Sequence, residues 1–429
     1  MITRSPISKD EPIVIVGAGV FGLSTALEVK KRGYQHVTVL DRYLPPVVDG
    51  SSVDISRVIR VDYADPLYGK MAGEAHEGWI NEYGKHYHQT GFVMLAEGLN
   101  LAYIERSKQT SRQLDNTLQE YDDARQIRDI FPSIQAQLDG LKGYVNPQGG
   151  WADAEARIRQ LSVQCTLRGV SFITGPRGRV LSLRYNGGRV AGVNVAEGDP
   201  ILASQVILAT GAWTNRLIPI SHASSASGQP VGFIQLTKEE AEKLRDMPVI
   251  INLSTGVFIF PPTPETNVLK VARHSYGFAT VVPVEETSRV VSSPKRDGNN
   301  AAASYLPADA EEGLRQGLGQ LVPDFAQHEW MSRRLCWYSD TPEGDFIVDY
   351  HPEIAGLFLA TGGAGHAFKF LPVLGKYIAD CFENKASVDI RKKWRLRIAD
   401  GSEEAPKMGD GSRGGPPLRT LTRSEQAKL

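Results

Sequence analysis

Residues 12–41 read PIVIVGAGVFGLSTALEVKKRGYQHVTVLD, and this stretch decides the fold. The apolar, β-branched run at 12–16 predicts a buried parallel strand. A helix is expected from Val20 to about Arg32, with Leu23, Ala26 and Leu27 on one face and Gly33 as its stop. Residues 36–40 predict a second strand ending at Asp41. Inside this βαβ unit, Gly17-x-Gly19-x-x-Gly22 has the spacing of a dinucleotide-binding turn. Gly17 permits the tight turn, Gly19 lets the backbone approach a pyrophosphate, and Gly22 lets helix and strand pack closely. Asp41, nineteen residues after Gly22, is placed to bind ribose hydroxyls. The helix N-terminus supplies N–H donors and partial positive charge for the phosphates. The motif by itself does not choose between NAD and FAD.

The rest of the chain sets the bounds. Its 429 residues are 41% hydrophobic and 23% charged, which suits a globular protein of two intimately packed lobes. A formal charge of −1 gives no electrostatic footprint for nucleic acid or anionic lipid, so a small molecule is the expected partner. No apolar run approaches a membrane span, and the polar N-terminus lacks a secretory signal. Cys165, Cys336 and Cys381 form no CxxC pair and no metal-like spacing, so neither a disulfide framework nor a metal site is expected. The chain reads as intracellular.

Helical patterns are expected at 65–85, 101–118 and 153–167, and strands at 170–174, 180–185, 190–195 and 205–209. From about 225 to 330, prolines and β-branched runs predict a mostly antiparallel sheet with a helix at 309–321 opening on Asp309 as a cap. From Leu357 the strand–glycine–helix pattern returns. The fold class is therefore a Rossmann-type dinucleotide domain interleaved with a mostly antiparallel β-sheet substrate domain. The first is assigned residues 11–92, 146–222 and 331–390, and the second 93–145 and 223–330. Residues 391–429, rich in Gly, Pro and charge toward their end, are expected to form an extended or mobile arm.

Four further stretches carry chemistry. Residues 205–211 (QVILATG), followed by Ala212 and Trp213, form a second apolar strand ending in Thr-Gly, and together with the first unit they point to FAD. Gly362, Gly363, Ala364 and Gly365 precede His366, Phe368 and Lys369 at an expected helix start, where N–H groups can face an anion. Lys369 in a first helical turn would oppose the macrodipole, so a functional reason for it is plausible. Arg57-x-x-Arg60 offers planar forks for carboxylate or phosphate, downstream of polar Ser51 and Ser52. Cys336 has Arg333 and Arg334 nearby in sequence, which would favour its thiolate if they are also near in space.

On these motifs the chain resembles the monomeric sarcosine oxidase family, within the D-amino-acid-oxidase-like flavoproteins, over nearly all of residues 11–385. It is most similar to the fungal branch acting on L-pipecolate, L-saccharopine or fructosyl amino acids. The family's Cys-x-Tyr-x-x-Thr-Pro context reads Cys336-Trp337-Tyr338-Ser339-Asp340-Thr341-Pro342 here, and the resemblance implies covalent FAD on Cys336. It further implies a cofactor shell of Gly17, Gly19, Val20, Phe21, Gly22, Asp41, Arg42, Ser51, Ser52, Arg57, Val180, Gly211, Trp213, Cys336, Tyr338, Gly363, Gly365, His366, Phe368 and Lys369. Arg60 and Lys369 are implied to hold the substrate carboxylate, with His366 beside them. Lys270, in Leu269-Lys270-Val271-Ala272-Arg273-His274, is implied to assist oxygen.

The reaction implied is oxidation of a secondary-amine amino acid to an imine, with O2 reduced to H2O2. One departure bears on substrate. Residues 50–57 (GSSVDISR) lack the Ala-Gly-Asn-Asp-like segment of fructosyl amino acid oxidases, so that substrate class is the alternative. An NAD-dependent dehydrogenase and an FAD protein that binds a metabolite without reacting with oxygen are the readings from other classes. Ala427-Lys428-Leu429 resembles a peroxisomal address, which implies the import receptor as partner and the peroxisome as location.

Overall fold

In the computed structural model, residues 7–285, 287–398 and 410–429 are described. The strand Ile13–Val16 is buried at every position and sits inside a six-stranded sheet. It pairs in parallel with Val37–Leu40 on one side and Gln205–Leu208 on the other. Ser171–Ile173 and Leu357–Thr361 extend the parallel array, and antiparallel Ile347–Tyr350 closes one edge. A strand covered on both faces has no use for alternation, which is why 13–16 reads as an unbroken apolar run.

The helices Val20–Lys31 and Leu371–Phe382 pack against this sheet and against each other in one core, which includes Leu23, Ala26, Leu374 and Ile378. A second core, with Val14, Val16, Val206 and Leu208, fills the opposite face beneath the hairpin of Val180–Asn186 and Arg189–Val195. Two glycines close the first turn. A Cβ on Gly22 would lie 1.9 Å from the Gly17 carbonyl oxygen, and one on Gly17, where φ is +108°, would lie 2.4 Å from that of Ala209. No larger residue fits either place.

The second layer is a ten-stranded, mostly antiparallel sheet. Its spine is Ser225–Gln235, which pairs with Val268–Arg273 on one side and along nine residues with Ser332–Asp340 on the other. The sheet also takes in Phe92–Ala96 and Lys142–Asn146, and Phe92–Ala96 runs parallel to Val249–Asn252. The helix Ala308–Leu321 covers it with Leu314, Leu318 and Leu321.

Four expectations are corrected. Ser332–Asp340, the strand of Cys336, belongs to this second sheet and not to the dinucleotide sheet expected for residues from 331; its hydrogen bonds run to Ser225–Gln235. The 309–321 helix begins at Ala308 behind Pro307, and Asp309 does not cap it. Lys369 is not in the first turn of the long helix: it lies in a 3-10 turn, Ala367–Phe370, that precedes Leu371. Of the C-terminal arm, residues 399–409 lie outside the described residues, but 410–429 are docked. There Arg413 and Leu421 are buried and Arg419–Thr420 pairs with Phe278–Ala279.

Candidate active site

One cleft runs between the two sheets. Gly17, Gly19, Val20, Asp41 and Arg42 line one part of it; Arg57, Lys270, Cys336, Tyr338, His366 and Lys369 line another. Phe21, Ser51, Ser52, Val180, Gly211, Trp213, Gly363, Gly365 and Phe368 complete the overlap with the expected cofactor shell. Gly22 stands behind the wall, where its packing role puts it. Segments from eight separated parts of the chain therefore converge on one space.

The dinucleotide part fits its ligand class by its donors. The helix Val20–Lys31 has Gly19 at its N-cap, no side-chain cap and no acidic residue in its first turn. That leaves its N-terminal field to a phosphate. The Val20 N–H donates to Ser52 Oγ at 2.9 Å, tying the 50–53 loop to this turn. Asp41 ends its strand with Oδ2 accepting from the Ala18 N–H at 2.8 Å and Oδ1 from the Arg42 N–H at 2.7 Å. Arg42 Nη2 donates to both oxygens of Asp49, and the guanidinium lies 4.8 Å over the Trp213 ring.

Across the cleft, Cys336 is buried and its Sγ accepts from Arg57 Nη2 at 3.6 Å. Arg333, near this thiol only in sequence, points instead to Glu311. Adjacent residues of a strand face opposite sides, and only Arg334 shares a face with Cys336. Lys270 is inward, 2% exposed, its Nζ donating to the Ser56 carbonyl at 2.7 Å and pairing with Asp54 at 3.0 Å. Burial pulls its pKa down to about 7 against the opposing pull of Asp54. The Phe260 ring lies 4.6 Å from the same ammonium.

Lys369 is buried, donates to the His366 carbonyl at 2.9 Å, and makes no ion pair among the described residues. Burial first, then the nearby Arg60 cation, lower its pKa well below the usual lysine value. Arg60 is not part of the cleft wall. It pairs with Asp62 at 2.9 Å and donates to Tyr103 Oη at 3.2 Å. Arg60 and Lys369 lie 4.6 and 5.4 Å from the Tyr63 ring centre. His366 spends both ring nitrogens inside the protein, Nδ1 on Tyr63 Oη at 3.1 Å and Nε2 on the Gly344 carbonyl at 2.8 Å. Burial, with Lys369 next, lowers its pKa well below the usual imidazole range.

Three residues were missed by reading the sequence. Asp54 sits amid SSVDISR, where the arginines drew attention; a lone acid between Val and Ile is the signal that marks it. Asp62 accepts from Tyr144 Oη at 2.6 Å and carries the Arg60 charge. Arg413, from the tail read as an arm, reaches under the site with Nη2 2.8 Å from Asp340 and its guanidinium 4.9 Å from the Tyr338 ring centre. Nothing local in a Gly-rich stretch announces such a contact.

A Rossmann-type cradle opening onto an antiparallel sheet that carries a buried thiol and a buried lysine, with a second buried lysine beside the cradle, defines the class of flavoprotein oxidoreductases. The chain belongs to the FAD dependent oxidoreductase family, whose description matches residues 12–381. It is similar to L-saccharopine oxidase of Schizosaccharomyces pombe, 32% identical over 91% of this chain and 94% of that protein. It is also similar to human peroxisomal sarcosine oxidase, 26% identical over 85% of this chain and 90% of that one. Among solved structures, fructosyl peptide oxidase from E. terrenum matches with a TM-score of 0.86 and 27% identity, covering 97% of each chain.

Proposed function

We propose that the protein is an FAD-dependent oxidase of amino acids bearing a secondary amine, of the L-saccharopine, L-pipecolate or sarcosine class, with O2 as electron acceptor. The observation that carries this reading is the pairing in one cleft of two buried lysines: Lys369, without a counter-ion among the described residues, and Lys270 with one. When bound, FAD supplies the two-electron acceptor that takes a hydride equivalent from the carbon beside the amine. The C–N bond becomes an imine, which water hydrolyses or which stays cyclic, and the two electrons and two protons end in H2O2.

The protein's part is orientation and charge. A buried ammonium without a carboxylate partner is a costly arrangement, and a substrate carboxylate relieves it. Lys369 is the residue for that contact, in line with what the resemblance implies. Arg60, already balanced by Asp62, backs it from across the Tyr63 ring. The same cations disfavour a protonated amine nearby, so substrate is held with its nitrogen neutral, the form that can lose hydride. Phe258 and Phe260 add an apolar wall beside Lys270. Fructosyl amino acids are the second reading, favoured by the likeness to fructosyl peptide oxidase.

Peroxide release from a panel of secondary amines tests the proposal. Lys369→Met should raise KM for a carboxylated substrate about 10- to 100-fold, equivalent to ~1.5–3 kcal/mol for one lost charge-assisted hydrogen bond. An amine lacking the carboxylate that reacts as well as the amino acid would remove the clamp from the account.

We also propose peroxisomal location, read from Ala427-Lys428-Leu429. The tripeptide ends the helix Arg423–Lys428, and its last carbonyl accepts from Lys295 Nζ. Leu429 packs against the larger-sheet core, so an import receptor has to lift it from the surface. Deleting these three residues should leave a fluorescent fusion in the cytosol; unchanged punctate import would overturn the assignment.

A further inference from the structure

Asp54 has a fully buried side chain on which three cations converge. Its Oδ2 lies 3.0 Å from Lys270 Nζ and 3.5 Å from Arg334 Nη2, and it accepts a still shorter bond from Arg57 Nη1. Its Oδ1 accepts the Ile55 N–H at 2.8 Å, which fixes the rotamer. These three cations come from three elements. Arg57 begins the strand Arg57–Ile59, Lys270 lies in Val268–Arg273 and Arg334 in Ser332–Asp340. Burial alone would raise the Asp54 carboxyl, but Lys270, Arg57 and Arg334 outweigh it and hold it well below the carboxylate range.

One carboxylate therefore serves three positive charges at the wall of the cleft. An ammonium beside two guanidiniums in a dry site would otherwise release its proton, because each neighbour disfavours its charged form. The groups facing Lys270 are Asp54 and Arg57 from the 54–57 segment, Cys336 from Ser332–Asp340 and the uncharged Phe260 ring, and Arg334 reaches the same Asp54 oxygen. Asp54 is the acid among them.

We propose that Asp54 is a positioning residue whose carboxylate keeps Lys270 protonated and aims its ammonium into the cleft. The inference rests on Lys270 acting there as a cation, as the proposed function has it. It adds that the charge is conditional on a residue that itself lines none of the cleft.

The test is a pH titration of the visible absorbance of oxidised holoenzyme from pH 5 to 10, set beside stopped-flow reoxidation across the same range. A spectral step present in the wild type and absent in Lys270→Met reports the lysine. Asp54→Asn should move that step, and the alkaline fall in reoxidation rate, down by about 1–3 pH units. Arg334→Gln, which removes a competing cation, should move the step up; it carries the test alone if Asp54→Asn does not fold. A step that stays in place in either variant, or no Lys270-dependent step in any protein, overturns the inference. If Lys270→Met reoxidises at the wild-type rate while the step still moves, the oxygen role fails and the Asp54 assignment stands.

Discussion

Lys270→Met is expected to slow reoxidation of the reduced enzyme by about 10²–10³-fold, the range typical when a preorganised donor to a developing anion is removed. Anaerobic reduction by substrate should fall much less. The difference follows from where the charge is needed. Lys270 is 2% exposed, so its field reaches the cleft without screening by water, and its place is fixed by Asp54 and the Ser56 carbonyl. A fixed cation lowers the energy of oxygen as it takes on negative charge and contributes little to a substrate carboxylate, a contact the proposed function assigns to Lys369. Methionine keeps the length and apolar stem while removing the charge. An unchanged reoxidation rate would return Lys270 to a structural role.

Cys336→Ser is expected to abolish covalent attachment of FAD. Acid precipitation should leave the yellow colour in the pellet for the wild type and in the supernatant for the variant. The thiol lines the cleft, and Arg57 Nη2 donates to its sulfur at 3.6 Å, which holds the side chain in place. Cys165 and Cys381 are also buried, but burial pushes both thiols up to about 12 and neither lines the cleft. They are core residues. Free FAD in the wild-type supernatant would refute attachment while leaving the fold and the redox class untouched.

The dinucleotide half was legible because its signals are local. An apolar run, three glycines and a terminal acid lie within thirty residues, and the structure places the run in the parallel sheet, packs Gly17 and Gly22 against backbone and brings Asp41 to the same turn. Lys270 was legible through the resemblance but not as a neighbourhood: nothing local says that its face of the strand turns inward. Arg60 shows the converse. Its fork suggested a carboxylate ligand, and the acid that neutralises it, Asp62, stands only two residues on, where the arginines masked it. Asp54 and Arg413 act through partners more than 70 residues away, Asp54 at Lys270 and Arg334 and Arg413 at Asp340. No local spacing encodes such pairings. The tail was misread for the same reason, since composition records flexibility and not the Phe278–Ala279 strand edge that captures it.

The most direct test of the central claim is a two-stage reaction followed in one cuvette. The yellow enzyme is mixed anaerobically with a carboxylated secondary amine, L-saccharopine, L-pipecolate and sarcosine in turn, and air is then admitted. For at least one of them, bleaching of the flavin band before air is predicted, followed by full recovery of colour and release of one H2O2 per flavin. Bleaching by none of these amines would contradict the amine chemistry, and bleaching without recovery or peroxide in air would contradict the assignment as an oxidase.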